Sequence, residues 1–176
     1  HLGSTGPATH TRRARLCGEG RLALERLCAE EGVAFERCGK LVVATRPGEL
    51  PRLDELERRA RANGLAGVRR VGPDEIRERE PHAAGLAGLL VPEAGIADYP
   101  GVCEALARRV RAAGGTIVTG ARVRAMRGDG EGVTIGSAAG EHRAKLVVTC
   151  AGLHADRIAR LAGVEPGVRI APFRGE

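Results

Sequence analysis

The sequence has no tryptophan, one tyrosine and two phenylalanines in 176 residues. So few aromatic rings leave little to stack on bases, which argues against nucleic acid as a partner despite a net charge of +6. The positive charge is also dispersed. Arg58, Arg59 and Arg61 share a segment with Asp54, Glu55 and Glu57, while Arg108, Arg109 and Arg111 fall on the wet side of another helical pattern. Lysine is nearly missing: Lys40 and Lys145 stand among 28 basic residues, so arginine supplies the cationic surface. No apolar run approaches the ~20 residues of a membrane helix. Arg12 and Arg13 are not followed by an apolar signal core, so a cytoplasmic protein is expected.

Paired-ligand motifs are missing as well. Cys17, Cys28, Cys38, Cys103 and Cys150 are odd in number and show no CxxC spacing, which points to neither a disulfide framework nor zinc. Cys17 and Cys28 recur on one helical face, where a free cysteine serves as a small core residue. His1, His10, His82, His142 and His154 form no HExxH pair, so no metal site is expected. Gly18-Glu19-Gly20-Arg21-Leu22-Ala23 fits the GxGxxA dinucleotide fingerprint, but the residues before it, Arg13 to Cys17, already read as helix. A phosphate loop needs a strand ending there and a helix N-terminus facing the anion. Gly128-Asp129-Gly130-Glu131-Gly132 lies between two strand patterns and reads as a hairpin turn.

What is present is a globular composition, 43% hydrophobic, long enough for one domain or for pieces of two. After a leader of about a dozen residues without period, apolar periodicity predicts helices near 15–31, 50–63, 99–113 and 153–162. Leu16, Gly20, Ala23, Leu24, Leu27 and Cys28 mark the first. Leu50, Leu53, Leu56 and Ala60 mark the second, with Asn63-Gly64 as a stop. A brief helix opens at Pro73 and ends before Pro81. The helix near 99–113 has Asp98 as N-cap and a buried stripe of Val102, Cys103, Leu106 and Val110. Strands are expected over 40–45, 68–71, 86–91, 116–119, 122–126, 133–135, 146–150 and 168–173.

Leu146-Val147-Val148-Thr149-Cys150 is apolar enough to read as a buried parallel strand. It runs through Ala151 and Gly152 into a helical pattern. Ligands of open α/β sheets sit beyond the carboxyl ends of such strands, and small residues let one approach the backbone. The same pattern also fits an ordinary strand-to-helix connection.

Several stretches together resemble a known family. They are Arg37-Cys38-Gly39-Lys40-Leu41-Val42-Val43-Ala44-Thr45, Glu78-Arg79-Glu80-Pro81-His82, Val91 to Tyr99, Cys150 to Arg157, and Pro172 to Glu176. In order and spacing these are similar to FAD-dependent oxidoreductases of the D-amino-acid oxidase type, within it the enzymes acting on L-2-hydroxyglutarate. The resemblance spans about residues 15–176, without the family's opening strand and GxGxxG loop, so the chain looks like an internal fragment of a longer enzyme. It implies an α/β fold in which part of a Rossmann-like FAD lobe (15–38 and 99–163) is interleaved with part of a mixed-sheet substrate lobe (39–98 and 164–176), after a leader at 1–14. It implies FAD as cofactor, with the backbone of Val123 against adenine and Cys150, Ala151 and Gly152 bordering the dinucleotide. The implied reaction oxidises the C2 hydroxyl of an L-2-hydroxy acid, with oxygen or a quinone as acceptor, and the resemblance leaves room for a peripheral membrane association of the parent enzyme. An amine or amino-acid oxidase, or a non-catalytic remnant, are the alternatives. Arg174 is the candidate for a substrate carboxylate because a guanidinium matches it bidentately, though a surface arginine at a strand end reads equally well. Lys40 is a weaker candidate, and Tyr99 reads as a packing residue rather than a catalytic acid.

Overall fold

The computed structural model describes residues 12–172, and its contacts divide the chain into two compact units, one ending at Ala113 and the other beginning at Gly114. The fold class is mixed α/β, built from helices and small antiparallel sheets. No described helix is long and apolar enough to cross a membrane.

The first unit opens with α1 (Arg12–Glu31), a longer helix than the periodicity predicts. The GxGxxA match sits in its middle, where the backbone N–H groups serve the helix ladder instead of a phosphate. Next come β1 (Phe35–Glu36), β2 (Lys40–Ala44), α2 (Leu50–Ala62), β3 (Arg69–Val71), α3 (Pro73–Arg79), β4 (Ala87–Val91), β5 (Ile96–Ala97) and α4 (Tyr99–Ala112). The three-stranded sheet has the order β2-β4-β3, all antiparallel, with Val42 and Arg70 flanking Leu89 in register. Gly88 lies opposite Val43 and Val71, and a Cβ there would stand 2.8 Å from Val71 Cγ2. Its glycine lets Val71 cross the central strand closely.

Leu53 and Ala60 of α2 pack onto this sheet. They form one core with Ala44, Leu65, Val68, Leu89 and Val91. Just ahead of α2, the Glu49 carboxylate accepts from the backbone N–H of Thr45 at 2.8 Å, the Thr45 hydroxyl at 3.1 Å and the backbone N–H of Arg46 at 3.3 Å. Gly64, at φ +81°, ends the helix by turning the chain so that Leu65 N–H reaches Ala60 C=O.

At the other side of the unit, α4 leans on α1 through charge. Arg108 donates to Glu31 at 3.0 Å, while Arg109 donates to Glu31 at 2.6 Å and to Glu30 at 2.7 Å. Two arginines expected on a purely wet face are thus inter-helix ties. Asp98 is the N-cap residue, although its side chain makes no cap hydrogen bond. Val102 and Ala105 are buried, but Leu106 (47% exposed) and Val110 (43%) are not, which corrects the four-residue stripe. Within the described residues α4 is covered along one edge only. Cys28 is buried as expected, whereas Cys17, about three turns earlier on the same face of α1, is exposed, which corrects its reading as a core residue. Tyr99 is half-exposed rather than a packing residue.

The second unit is a meander of β6 (Val123–Gly128), β7 (Val133–Ser137) and β8 (Gly140–Ala144), followed by a 3-10 turn over Gly152–His154 and α5 (Ala155–Leu161). Asp129 makes the first hairpin: its Oδ1 accepts from the N–H groups of Glu131 and Gly132 at 3.1 Å, and Gly130 takes φ +85°. Strand β8 escaped the sequence reading because Glu141, His142 and Arg143 are polar and show no apolar alternation.

Three expected strands are corrected. Residues 116–119, 146–150 and 168–172 form no ladder, and Phe173 lies outside the described residues. Leu146 and Val148, read as buried in a parallel sheet, are 79% and 77% exposed. β propensity alone does not make a strand; the backbone groups need a partner, and none of the described strands pairs with these segments. The expected leader at 1–14 falls mostly outside the described residues, and Arg12 onward is helical.

The surface ion pairs predict the acid response. Glu75 is held down to about 2 by hydrogen bonds first from Arg69 and then from Arg79, and Glu49 to about 2 chiefly by the Thr45 backbone N–H and then Arg46. Because both are depressed, their contribution is complete above the ordinary value of 4.5 and is lost as pH falls from there towards about 2. Thermal melting should therefore show a midpoint that declines through this window. Glu75→Gln should make that decline shallower, and an unchanged slope would show that this pair adds nothing to stability.

Candidate functional site

The second unit contains a cavity of about 550 Å³ lined by Arg122, Val123, Ala151, His154, Arg157, Ile158 and Leu161. Two local features build it. Val123 opens β6 opposite Ser137, and the register shifts between Val123 and Ala125, an irregularity of the kind that re-aims side chains at a strand end. Ala138 N–H donates to the Arg122 carbonyl at 3.0 Å, which pins the entry to β6 against the far end of β7. On the other wall the segment 146–150 leads into a turn at Ala151-Gly152. Gly152 adopts φ +53°, a left-handed conformation that costs glycine little, and His154 N–H closes the turn on Ala151 C=O at 2.9 Å. Helix α5 then follows, with contacts to β6.

The electrostatics of this cavity are one-sided. Among the described residues no acid lines it. Elsewhere in the same unit Arg143 is paired with Asp129 at 2.6 Å, and Arg160 with Glu165 at 3.3 Å. Among the described residues the guanidinium groups of Arg122 and Arg157 have no carboxylate partner. The acid beside Arg157 in sequence is committed elsewhere. Burial pushes the Asp156 carboxyl up, yet it sits below the ordinary range, because backbone N–H groups of Ile170 and Arg157 and the Arg160 side chain all donate to it. Val123, Ala151, Ile158 and Leu161 give its lining an apolar part. A cavity of this size lined by apolar and cationic side chains suits a ligand that carries a ring system beside negative charge. The adenosine-phosphate end of a dinucleotide has that character, so the residues present fit the cofactor expected from the sequence.

Of the residues singled out in the sequence, Val123 and Ala151 meet in this cavity, and Gly152 forms its turn. Cys150 is exposed and does not line it. Lys40 lies in the first unit, half-buried at the start of β2 and opposite Val91. Arg174 lies outside the described residues. Among the described residues no three His, Cys, Asp or Glu side chains group together in a way that could hold a metal ion. Sequence reasoning missed Arg122, His154 and Arg157. A signal for two of them was present: His154, Arg157, Ile158 and Leu161 follow i, i+3, i+4, i+7 spacing, which places the basic pair on the same helical face as the apolar residues.

Residues 1–176 match the DAO family, FAD dependent oxidoreductases. The chain is 42% identical over 165 residues to L-2-hydroxyglutarate dehydrogenase of Salmonella houtenae, covering 93% of the chain and 39% of that protein. It is 36% identical over 176 residues to the mitochondrial L-2-hydroxyglutarate dehydrogenase of Homo sapiens, covering 93% of the chain and 38% of that protein. The chain thus spans about two-fifths of the length of these relatives. Among solved structures, glycine oxidase from Geobacillus kaustophilus superposes with a TM-score of 0.81 at 23% identity, over 92% of this chain and 46% of that one, a likeness of fold. On the match along its whole length, the chain belongs to the DAO family of FAD-dependent oxidoreductases.

Proposed function

We propose that this chain is part of an enzyme that oxidises the C2 hydroxyl of L-2-hydroxyglutarate to the 2-keto acid. The observation that carries the reading is the 36–42% identity, over 93% of the chain, to proteins named for that substrate in both a bacterium and an animal. FAD, when bound, supplies the two-electron acceptor that takes a hydride from C2. The protein's task is then to hold the dinucleotide, to orient the substrate, and to take the hydroxyl proton as the carbonyl forms.

In this reading Val123 and Ala151 shape the nucleotide cavity, and Gly152 lets the backbone approach it closely, with Cys150 at the edge. Arg174 binds a substrate carboxylate, and Lys40 is the second candidate for that role. The division into a cofactor lobe, 15–38 and 99–163, and a substrate lobe, 39–98 and 164–176, belongs to the same proposal. Oxygen or a quinone as acceptor and a cytoplasmic location, with peripheral membrane association in the quinone case, complete it. Assaying soluble and membrane fractions with each acceptor tests that part.

Anaerobic mixing of the enzyme that carries this chain with L-2-hydroxyglutarate should bleach the flavin absorbance, and the D-enantiomer should not. Bleaching by glycine or another amino acid in place of the hydroxy acid would overturn the substrate assignment. A second expectation concerns the 176-residue chain by itself. It has no strand–GxGxxG–helix unit, whose backbone N–H donors and helix dipole hold a pyrophosphate. FAD titrated into it and followed by flavin fluorescence should bind more weakly than micromolar. A tighter constant would show that shape and the residues of the second unit suffice.

A further inference from the structure

We propose that Arg122 and Arg157 are the anion-recognising residues of the cavity in the second unit, and that through them this unit captures the phosphate-bearing adenosine end of the dinucleotide. The inference rests on reading that cavity as the nucleotide site. Both residues line it, and neither guanidinium has a carboxylate partner among the described residues. Asp156, the acid adjoining Arg157, already accepts from the N–H groups of Ile170 and Arg157 and from Arg160. Each arginine is anchored. The Arg122 backbone is held by Ala138 N–H at 3.0 Å, and Arg157 stands on α5 beside Ile158.

Two exposed guanidinium side chains beside apolar residues favour an anion, because a guanidinium and an anion form charge-assisted hydrogen bonds. The size and the lining narrow the class. A cavity of about 550 Å³ lined also by Val123, Ala151, Ile158 and Leu161 is too roomy and too apolar for an inorganic anion alone. A purine beside a phosphate meets both requirements, with the ring against the apolar side chains and the phosphate at the guanidinium forks. An uncharged ligand such as riboflavin would leave both arginines unanswered. The local pattern that places His154 and Arg157 on the Ile158–Leu161 face of the helix makes this arrangement a property of the unit's own chain.

The test is titration of the 176-residue chain with ADP, adenosine, inorganic pyrophosphate and FAD, followed through backbone amide NMR shifts. ADP should bind about tenfold or more tightly than adenosine, since it alone adds charge-assisted hydrogen bonds, and that advantage should shrink with added salt. Pyrophosphate should bind more weakly than ADP because it lacks the ring. ADP and FAD should both shift the Val123 and Ala151 amides. Arg122→Ala and Arg157→Ala should each reduce ADP affinity about tenfold and leave adenosine unchanged, while the lysine variants retain part of the preference. Arg127→Ala, on an exposed position of β6 outside the cavity, should change neither. Unperturbed amide shifts elsewhere establish that each variant is folded. Equal affinity for ADP and adenosine, or full ADP affinity in both alanine variants, would overturn the assignment of the arginines. If FAD still shifts Val123 and Ala151 in those variants, the cavity remains the nucleotide site and only the arginine roles fall. If FAD and ADP shift neither amide in the unsubstituted chain, the cavity reading itself fails, and this inference with it.

Discussion

Leu89→Ala should destabilise the first unit by about 2–5 kcal/mol, a large share of the roughly 5–15 kcal/mol that holds a domain of this size together. Leu89 is 0% exposed at the centre of β4, the middle strand of the β2-β4-β3 sheet. Its side chain belongs to the one core shared by the sheet and α2, with Leu53, Ala60, Leu65 and Val68. Truncation removes the transfer free energy of the lost methyl groups. It also leaves a cavity that a strand paired on both edges cannot collapse to fill. Leu106→Ala is the matched comparison, because Leu106 is 47% exposed on α4 and its loss should fall within about 0.5 kcal/mol. Urea unfolding followed by circular dichroism measures both. A loss below about 1 kcal/mol for Leu89 would mean that the sheet and α2 do not share a cooperative core.

Arg174→Lys should lower kcat/KM for L-2-hydroxyglutarate by about ten- to a hundredfold in the enzyme that carries this chain, with flavin content unchanged. The expectation follows from our assignment of Arg174 to a substrate carboxylate. A dicarboxylate asks for a fixed cation, and the planar guanidinium fork offers two parallel hydrogen bonds where an ammonium offers a point charge. Keeping the charge while removing the fork isolates geometry from Coulomb attraction. Steady-state kinetics with the flavin absorbance measured on the same samples decides the matter. Unchanged efficiency would return Arg174 to the surface. Lost flavin would move its role to the cofactor site or to the fold.

The long helices and β2, β3 and β4 were legible in the sequence because their signals are local. Leu50, Leu53, Leu56 and Ala60 recur at helical spacing, Pro51 and Asn63-Gly64 bracket them, and α2 runs over Leu50–Ala62 as they direct. Val42 and Val43 favour extended backbone, and β2 forms there. The candidate site was legible in part for the same reason: small residues at Ala151 and Gly152 permit a tight reversal whatever surrounds them, and the turn is there. His154 and Arg157 went unread although their spacing with Ile158 and Leu161 was visible, because basic residues on a short helix read as solvated until a wall stands opposite them.

The segment 146–150 shows where local signals end. Its composition is that of a buried strand, yet it is exposed and unpaired, because a ladder is a relation between two segments and composition describes only one. Strand β8 is the converse: polar Glu141, His142 and Arg143 pair with β7 because the Ser137–Gly140 turn brings the two backbones into register. Residue order by itself determined the family, the helical periods and the glycine turns, since each depends on side chains near one another along the chain. Tertiary structure alone decided which arginines are spoken for. Arg108 and Arg109 meet Glu30 and Glu31 from nearly 80 residues away, while Arg122 and Arg157 are left facing a cavity. Whether a charge is paired depends on distance in space, and only the folded chain sets that distance.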